Sequence, residues 1–521
     1  MQGAGHLSGP FFLGPRPDPM KPKRASANAS PPAPAPGAPA PPRPLPALLV
    51  RLFALDPRTL AVFRLAVGAV LLLDLAIRFS DLAAMYGDEG MFPRDQIRLR
   101  YTSAWNWSFH FVGGSTEFQA ALFALAALLG LALLAGFQTR WATIGSWLLL
   151  VSVQHRVPPI LNAGDGLLRL LLFWGMFLPL GQAWSVDTWR RRRAHPSLTP
   201  DRSPVLSVAS AAIQLQMALM YFLSAIFKST PDWFRGQVIA GSLAHDIYAK
   251  PPGEWAIQFP ALITAMTFGV FVLEWAGPLL LFLPWRTGRV RLAVIGALAA
   301  MHLGIEICLT VGLFSLISLA GLTLFLPAEI WARCGSDAPV SPAPSADGRP
   351  AHWFREGLCA ALLLYVLGLN VSGVVSHARG QPSTAGWKPL NSGLGLGQKW
   401  GMFDETPSKD GWYVARGWRP DGSQIDLLQD GAPVSWDRPD YPTRMFPNHR
   451  WRKLFREMTY FDDFGYQVFR EPAARYLRRA WNARNAVTNQ VGEFELVFCM
   501  VQTNAPPGAL PARERIVRIP K

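Results

Sequence analysis

The sequence predicts a polytopic all-α membrane bundle of about nine spans, followed by a small extramembrane α+β domain. Three observations carry this prediction. Apolar runs near the ~20 residues needed to cross a bilayer recur until Val374. The 521 residues are 50% hydrophobic and only 16% charged, with Trp 20 and Phe 31. Such a chain is too apolar for an ordinary soluble protein and rich in the aromatics of membrane interfaces. After Val374 the pattern changes to alternating strands and amphipathic helices.

The formal charge of +15 does not point to nucleic acid, because the basic residues lie in short loops between apolar runs, where they set topology. The four cysteines show neither C-x-x-C nor His-Cys metal spacing. Neither a disulfide framework nor a metal site is expected.

In chain order, residues 1–50 form a Pro/Ala-rich tail expected to be disordered, with no apolar core of a signal peptide before Leu48. Residues 51–334 are expected to form the membrane domain. Its first span, about Thr59–Phe79, carries Arg64, Asp74 and Arg78, which helical periodicity brings roughly onto one inward face. A wet stretch from Tyr86 to Phe109 reads as interfacial helices or an outer loop. Further spans are expected at about Phe118–Gly136, Trp141–Val153, Gly166–Leu180, Pro204–Phe227, Ile257–Leu283, Leu292–Thr310 and Leu313–Ile330. Residues 335–352 read as a linker, 353–374 as the final span, and 375–521 as one α+β domain with hairpins at its D-G and R-P-D-G turns. Positive charge at Arg140, Arg190–Arg193, Arg286, Arg289 and Arg291 puts those loops and the N-terminus in the cytoplasm. The Lys228 segment and the C-terminal domain then lie outside.

Ionisable residues in apolar runs are the candidate site residues. Lys228 ends the run YFLSAIFK and is followed by S-T-P-D-W. Either its ammonium snorkels to the headgroups, or the lysine is desolvated and serves as a general base. Glu274 in FVLEWAGPLLLF pairs helices or supports a site. His302 and Glu306 share a helix face at i, i+4, which suits a hydrogen-bonded pair or a site. Asp165, between two glycines after Asn162, either caps the next helix or joins a site. Asp232 follows Lys228 at the helix break.

The run Y-F-x5-K-x3-D-W-x2-G, here Tyr221, Phe222, Lys228, Asp232, Trp233 and Gly236, resembles the lysine segment of vitamin K-dependent gamma-glutamyl carboxylases. DPRTLAVFRLAVGAVLLLDL resembles the opening of their membrane domain, FVLEWAGPLLLF their acid-plus-glycine span, and His302, Gly312 and Phe314 (H-x9-G-x-F) a histidine-bearing helix. The order is preserved over about Asp56–Pro327. By this resemblance the chain is similar to bacterial members of the HTTM (horizontally transferred transmembrane) superfamily, to which those carboxylases belong. Two departures stand out. His155 and Asn162 do not align with the carboxylases' Asn-His pair, and 375–521 is shorter than their lumenal part.

The resemblance implies a bacterial inner-membrane enzyme in which Lys228 deprotonates a reduced, vitamin K-like quinone. Oxygen and carbon dioxide then convert protein glutamate to gamma-carboxyglutamate. Lys228 and His302 would be catalytic, with Asp165, Asn162, Glu274 and Asp232 as supporting polar groups and no metal. Membrane lipid and an extracytoplasmic protein substrate are the implied partners. The alternative is a non-catalytic scaffold or ligand-binding protein that presents its C-terminal domain outside.

Overall fold

A computed structural model describes residues 47–197, 202–333, 350–381, 386–404, 409–460, 464–502 and 510–520. Most of the expected disordered tail and most of the expected linker lie outside the described residues, but the last four tail residues, 47–50, are helical and open the helix Ala47–Phe53.

The membrane part is built from helices α1 (Pro57–Ser80), α2 (Thr116–Ala135), α3 (Thr139–Arg156), α4 (Ala163–Gly175), the short α5 (Val186–Ala194), α6 (Val208–Phe227), α7 (Pro260–Leu280), α8 (Thr287–Cys308), α9 (Phe314–Leu322) and α10 (Pro350–Ala378). The starts follow from local chemistry. Asp56 caps α1 ahead of Pro57, Ser115 caps α2, and Ser207 with Ser210 forms a capping box on α6. Gly136, at φ +70°, ends α2 in the left-handed conformation that a glycine adopts without strain.

Among the described residues six helices are long and apolar enough to cross a membrane: α1, α2, α6, α7, α8 and α10. The 24 residues of α1 rise roughly 36 Å at ~1.5 Å each, more than the roughly 30 Å of a hydrocarbon core. The other three expected spans correspond to α3, α4 and α9. α3 is less apolar, and α4 and α9 are short helices largely buried among their neighbours.

Two ends of the bundle are distinguished by long-range contacts. At one, Thr59 donates to the Leu326 carbonyl, Arg51 to Thr287 and Arg291 to the Leu52 carbonyl. Arg64, Asp74 and Arg78 all face inward as expected, but Arg64, at this end, does not join the pairing of the other two. Its guanidinium donates to the carbonyls of Leu180, Ala183 and Trp184, while Asp74 and Arg78 pair with each other at 2.7 Å at the opposite end of α1. Ten residues of helix, roughly 15 Å, separate the two groups.

At that opposite end sits the C-terminal part, an antiparallel five-stranded sheet ordered β3-β2-β1-β4-β5. Its strands are β1 (Lys409–Trp418), β2 (Gln424–Asp426), β3 (Ala432–Pro433), β4 (Glu493–Gln502) and β5 (Ala512–Ile519), with helices α11 (His449–Tyr460) and α12 (Arg470–Arg484). β1 pairs β2 across the expected R-P-D-G turn, and the central pair β1–β4 runs from Lys409↔Gln502 to Trp418↔Glu493. Tyr413 on β1 is fully buried against Phe446, Phe455 and Phe498, which fixes α11 on one face of the sheet.

Candidate functional site

Tyr221, Ser224 and Lys228 lie at i, i+3 and i+7 and share one face of α6 at its C-terminal end. Lys228 is the C-cap residue, where a cation complements the helix dipole. Its side chain turns inward. Nζ donates to both Oε1 and Oε2 of Glu274 on α7 at 2.6 Å each, and to Ser224 Oγ at 3.0 Å. The indole ring of Trp233 lies 5.2 Å from the ammonium. Lys228 is only 5% exposed, so the snorkelling alternative is overturned. An unpaired charge at that depth would cost several kcal/mol (roughly 2.5–3.5 on insertion scales), and the Glu274 carboxylate is what offsets it. Pro278 lacks the N–H that would bond the Glu274 carbonyl, so the helix is loosened where the carboxylate is carried.

His302 on α8 is buried, and its Nε2 is hydrogen-bonded to Tyr221 Oη at 2.8 Å. Its Nδ1 has no partner among the described residues, and its ring meets Phe314 at 5.6 Å. The expected His302–Glu306 pair does not form. Glu306 lies 3.7 Å from Lys250 instead, because the bond to Tyr221 turns the imidazole into the bundle.

Lys228, Glu274, His302, Tyr221 and Ser224 line one enclosed cavity of about 30 Å³, closed by Met220, Met301, Ile305, Phe314, Met402 and Phe403. That is room for one or two water-sized molecules. Met402 and Phe403 belong to a strap, residues 389–404, that descends from the C-terminal part into the bundle. Arg169 donates to the carbonyls of Gly395 and Gly397, and Gln216 to Gln398. Trp233 Nε1 and Thr230 Oγ1 donate to the carbonyls of Phe403 and Asp404. Gly395 has φ +64° and lies so close to Arg169 that a Cβ there would sit 2.5 Å from Cδ, so only glycine suits this crossing.

The remaining predicted residues lie elsewhere. Asn162, not Asp165, is the N-cap of α4. Asp165 is the third helical residue of a capping box and accepts from the Asn162 N–H. Asp165 also belongs to a buried quartet. Arg78 donates to Asp74 at 2.7 Å and to Asp165 at 2.5 Å, while Arg450 on α11 donates to Asp74 at 2.5 Å and to Asp165 at 2.9 Å. Tyr86 accepts from Arg78 at 2.9 Å. Two guanidinium groups and two carboxylates balance in a buried site. Asp232 lies outside the cavity, 3.7 Å from Arg235 in the short helix Pro231–Phe234.

Sequence reasoning missed Arg450, Ser224, Met402 and Phe403 as site neighbours. Ser224 had a signal, four residues before Lys228 on its own helix face. Arg450 had none, being 285 residues from Asp165.

The HTTM domain family model matches residues 53–331. The chain belongs to the HTTM domain family. No curated protein and no solved structure matches it. The matched region covers α1 through α9, so the Lys228–Glu274–His302 cavity is lined mainly by HTTM helices. Its Met402 and Phe403 wall comes from beyond the matched region. With its six apolar spans this HTTM chain is an integral membrane protein.

A ring of quinone size does not fit the enclosed cavity of about 30 Å³. An apolar surface groove of about 620 Å³, lined by Ser229, Phe234, Phe271, Val272, Trp275, Ala276 and Leu279, is large enough. It borders the residues next to Lys228 and Glu274, but neither of those two side chains lines it.

Proposed function

We propose that this HTTM protein is an enzyme of the carboxylase-like class whose acid–base unit is the Lys228–Glu274 pair. The observation that carries the reading is the closed, mostly apolar cavity on which a buried lysine, its carboxylate partner and a histidine converge. A lysine held only for topology needs no such cavity. Transfer of one proton from Nζ to Glu274 interconverts the ion pair with a neutral amine and a neutral acid. The neutral amine then accepts a proton from a weakly acidic substrate group, and the resulting ammonium stabilises the anion left behind. Tyr221 fixes the His302 ring, whose free Nδ1 is available to a small molecule in the cavity. The cavity is too small for a quinone ring or a whole glutamate side chain, so no step inside it is assigned to either.

The reading includes a bacterial inner membrane, a cytoplasmic N-terminus, an extracytoplasmic C-terminal part and a protein glutamate as substrate. The distribution of arginine supports the orientation, and the family resemblance supports the substrate. Mass spectrometry of cellular proteins with the wild-type chain, with Lys228→Arg and with no chain tests it. Gamma-carboxyglutamate is expected with the wild type alone. Arginine preserves the charge and its pairing with Glu274 but stays protonated, so it cannot serve as base. Equal carboxyglutamate in wild-type and Lys228→Arg cells would sink the catalytic reading and favour the scaffold.

A further inference from the structure

At the end of the bundle away from the sheet, α5 reads VDTWRRRRA and is docked by its first turn. Asp187 accepts from Gln138 N at 2.8 Å, and from Thr139 N at 2.8 Å and Thr139 Oγ1 at 2.6 Å. Ser185 caps the helix and donates to the Gly181 carbonyl at 2.6 Å. The one carboxylate on α5 is therefore occupied in fastening the helix to the α2–α3 turn.

The arginines that follow are differently placed. Arg190, Arg191, Arg192 and Arg193 are exposed, as is Arg140 at the start of α3. Among the described residues none of these five forms a salt bridge with a carboxylate. Arg190 lies over Phe137 at 5.5 Å and Arg193 over Trp189 at 5.5 Å. Trp141, Trp184 and Trp189 are 68%, 55% and 58% exposed, and no residue of α5 is buried. Exposed indoles at the ends of membrane helices mark headgroup depth. Apart from the field of Asp187 on Arg191, these guanidinium groups face whatever charge the headgroups carry.

We propose that α5 and the start of α3 form a binding surface for anionic phospholipid headgroups in the leaflet away from the sheet. The arginine forks take the phosphate oxygens, and the tryptophans fill the interface between headgroup and acyl chain. A soluble acidic partner fits less well, because the surface carries exposed indoles among its charges. Each arginine at an anionic surface strengthens binding roughly fivefold, less as salt screens it.

The test is native mass spectrometry of the full-length protein released from mixed micelles containing phosphatidylglycerol and phosphatidylcholine. The wild type is expected to retain phosphatidylglycerol preferentially, and the preference to fall with added salt. In R190Q/R191Q/R192Q/R193Q it should fall at least about tenfold. A control that removes the same charge from the sheet part, at Arg475, Arg484, Arg513 and Arg518, should leave it unchanged. If the quadruple variant does not insert, R192Q/R193Q takes its place. Undiminished preference in the α5 variant, an equal loss in the control, or no preference in the wild type would each overturn the assignment.

Discussion

Lys228 and Glu274 show why a buried pair must be probed by more than one substitution. Glu274→Gln leaves the ammonium in a site 5% exposed with no counter-charge. Removing one partner of such a pair costs about 3–5 kcal/mol. Replacing both, as Lys228→Met with Glu274→Leu, removes two desolvated charges together and is expected to leave stability within about 1 kcal/mol of wild type or raise it. Thermal unfolding in detergent separates these outcomes. A double variant as unstable as Glu274→Gln would show that the pair itself, rather than its charge balance, holds α6 to α7. The double variant should also abolish carboxyglutamate formation while remaining folded. That combination assigns the pair to chemistry, and retained activity would remove it from the mechanism.

Helix α11 was legible as a helix, since RWRKLFREM follows the helical repeat, and it spans His449–Tyr460. Its role was not legible. Residues at its start reach the membrane part: Asn448 and Trp451 donate to Asp81 at 2.6 and 2.8 Å, His449 packs on Gly312, and Arg450 enters the Asp74–Asp165 site. Burial pushes the His449 imidazole down to about 3, helped by the adjacent Arg450 guanidinium. The ring therefore stays neutral where it packs on Gly312. Arg450→Ala is expected to lower stability by about 3–5 kcal/mol, because two buried carboxylates would share Arg78 alone. Arg450→Lys should recover part of this, since a point charge replaces one fork but not its geometry. An unchanged unfolding temperature in Arg450→Ala would mean that the quartet does not join the C-terminal part to the bundle.

Across the whole molecule, a second clasp ties the sheet to the membrane part and is built to titrate. His245 Nδ1 lies 3.1 Å from Asp410 Oδ1 at the start of β1, and Asp246 N donates to both Asp410 oxygens at 3.0 Å. Arg438 pairs with Asp246 at 2.5 Å. Burial, then Asp246, pushes Asp410 up to about 7, while burial pushes His245 down to about 4. A raised carboxyl pKa gives stability that is complete below the unfolded value of ~3.9 and is lost as pH rises through about 7. Because the lowered His245 adds stability as pH rises toward ~6.5 in both proteins, the readout is the difference between them: wild-type stability relative to Asp410→Asn should fall from ~pH 5 to ~pH 8. Identical slopes in the two proteins would exclude this clasp as their source. Orientation is tested at the same scale. Single cysteines near Asp232 and Trp418 should react with an impermeant thiol reagent from outside, and one near Arg192 should not. Outside labelling at Arg192 would invert the topology.

The sequence by itself determined whatever depends on neighbours along the chain. Hydropathy marked the apolar helices, and the R-P-D-G turn marked the β1–β2 hairpin. It also isolated Lys228, Glu274 and His302, because charged and polar residues in apolar runs stand out against their background. Tertiary structure alone decided what each of them meets. Lys228 at the end of an apolar helix satisfied two rules equally, snorkelling outward or turning inward, and only the position of Glu274 on α7, 46 residues away, resolved it. Likewise Arg64, Asp74 and Arg78 share a helix, but the depth at which each meets a partner separated the first from the other two. Asp165 was visible as a polar residue at a helix start, yet its pairing with Arg78 and Arg450 needed elements 87 and 285 residues distant. Local patterning fixes which backbone forms, because its energetics are local. The partner of a buried charge is chosen by packing between helices, which no spacing along the chain encodes.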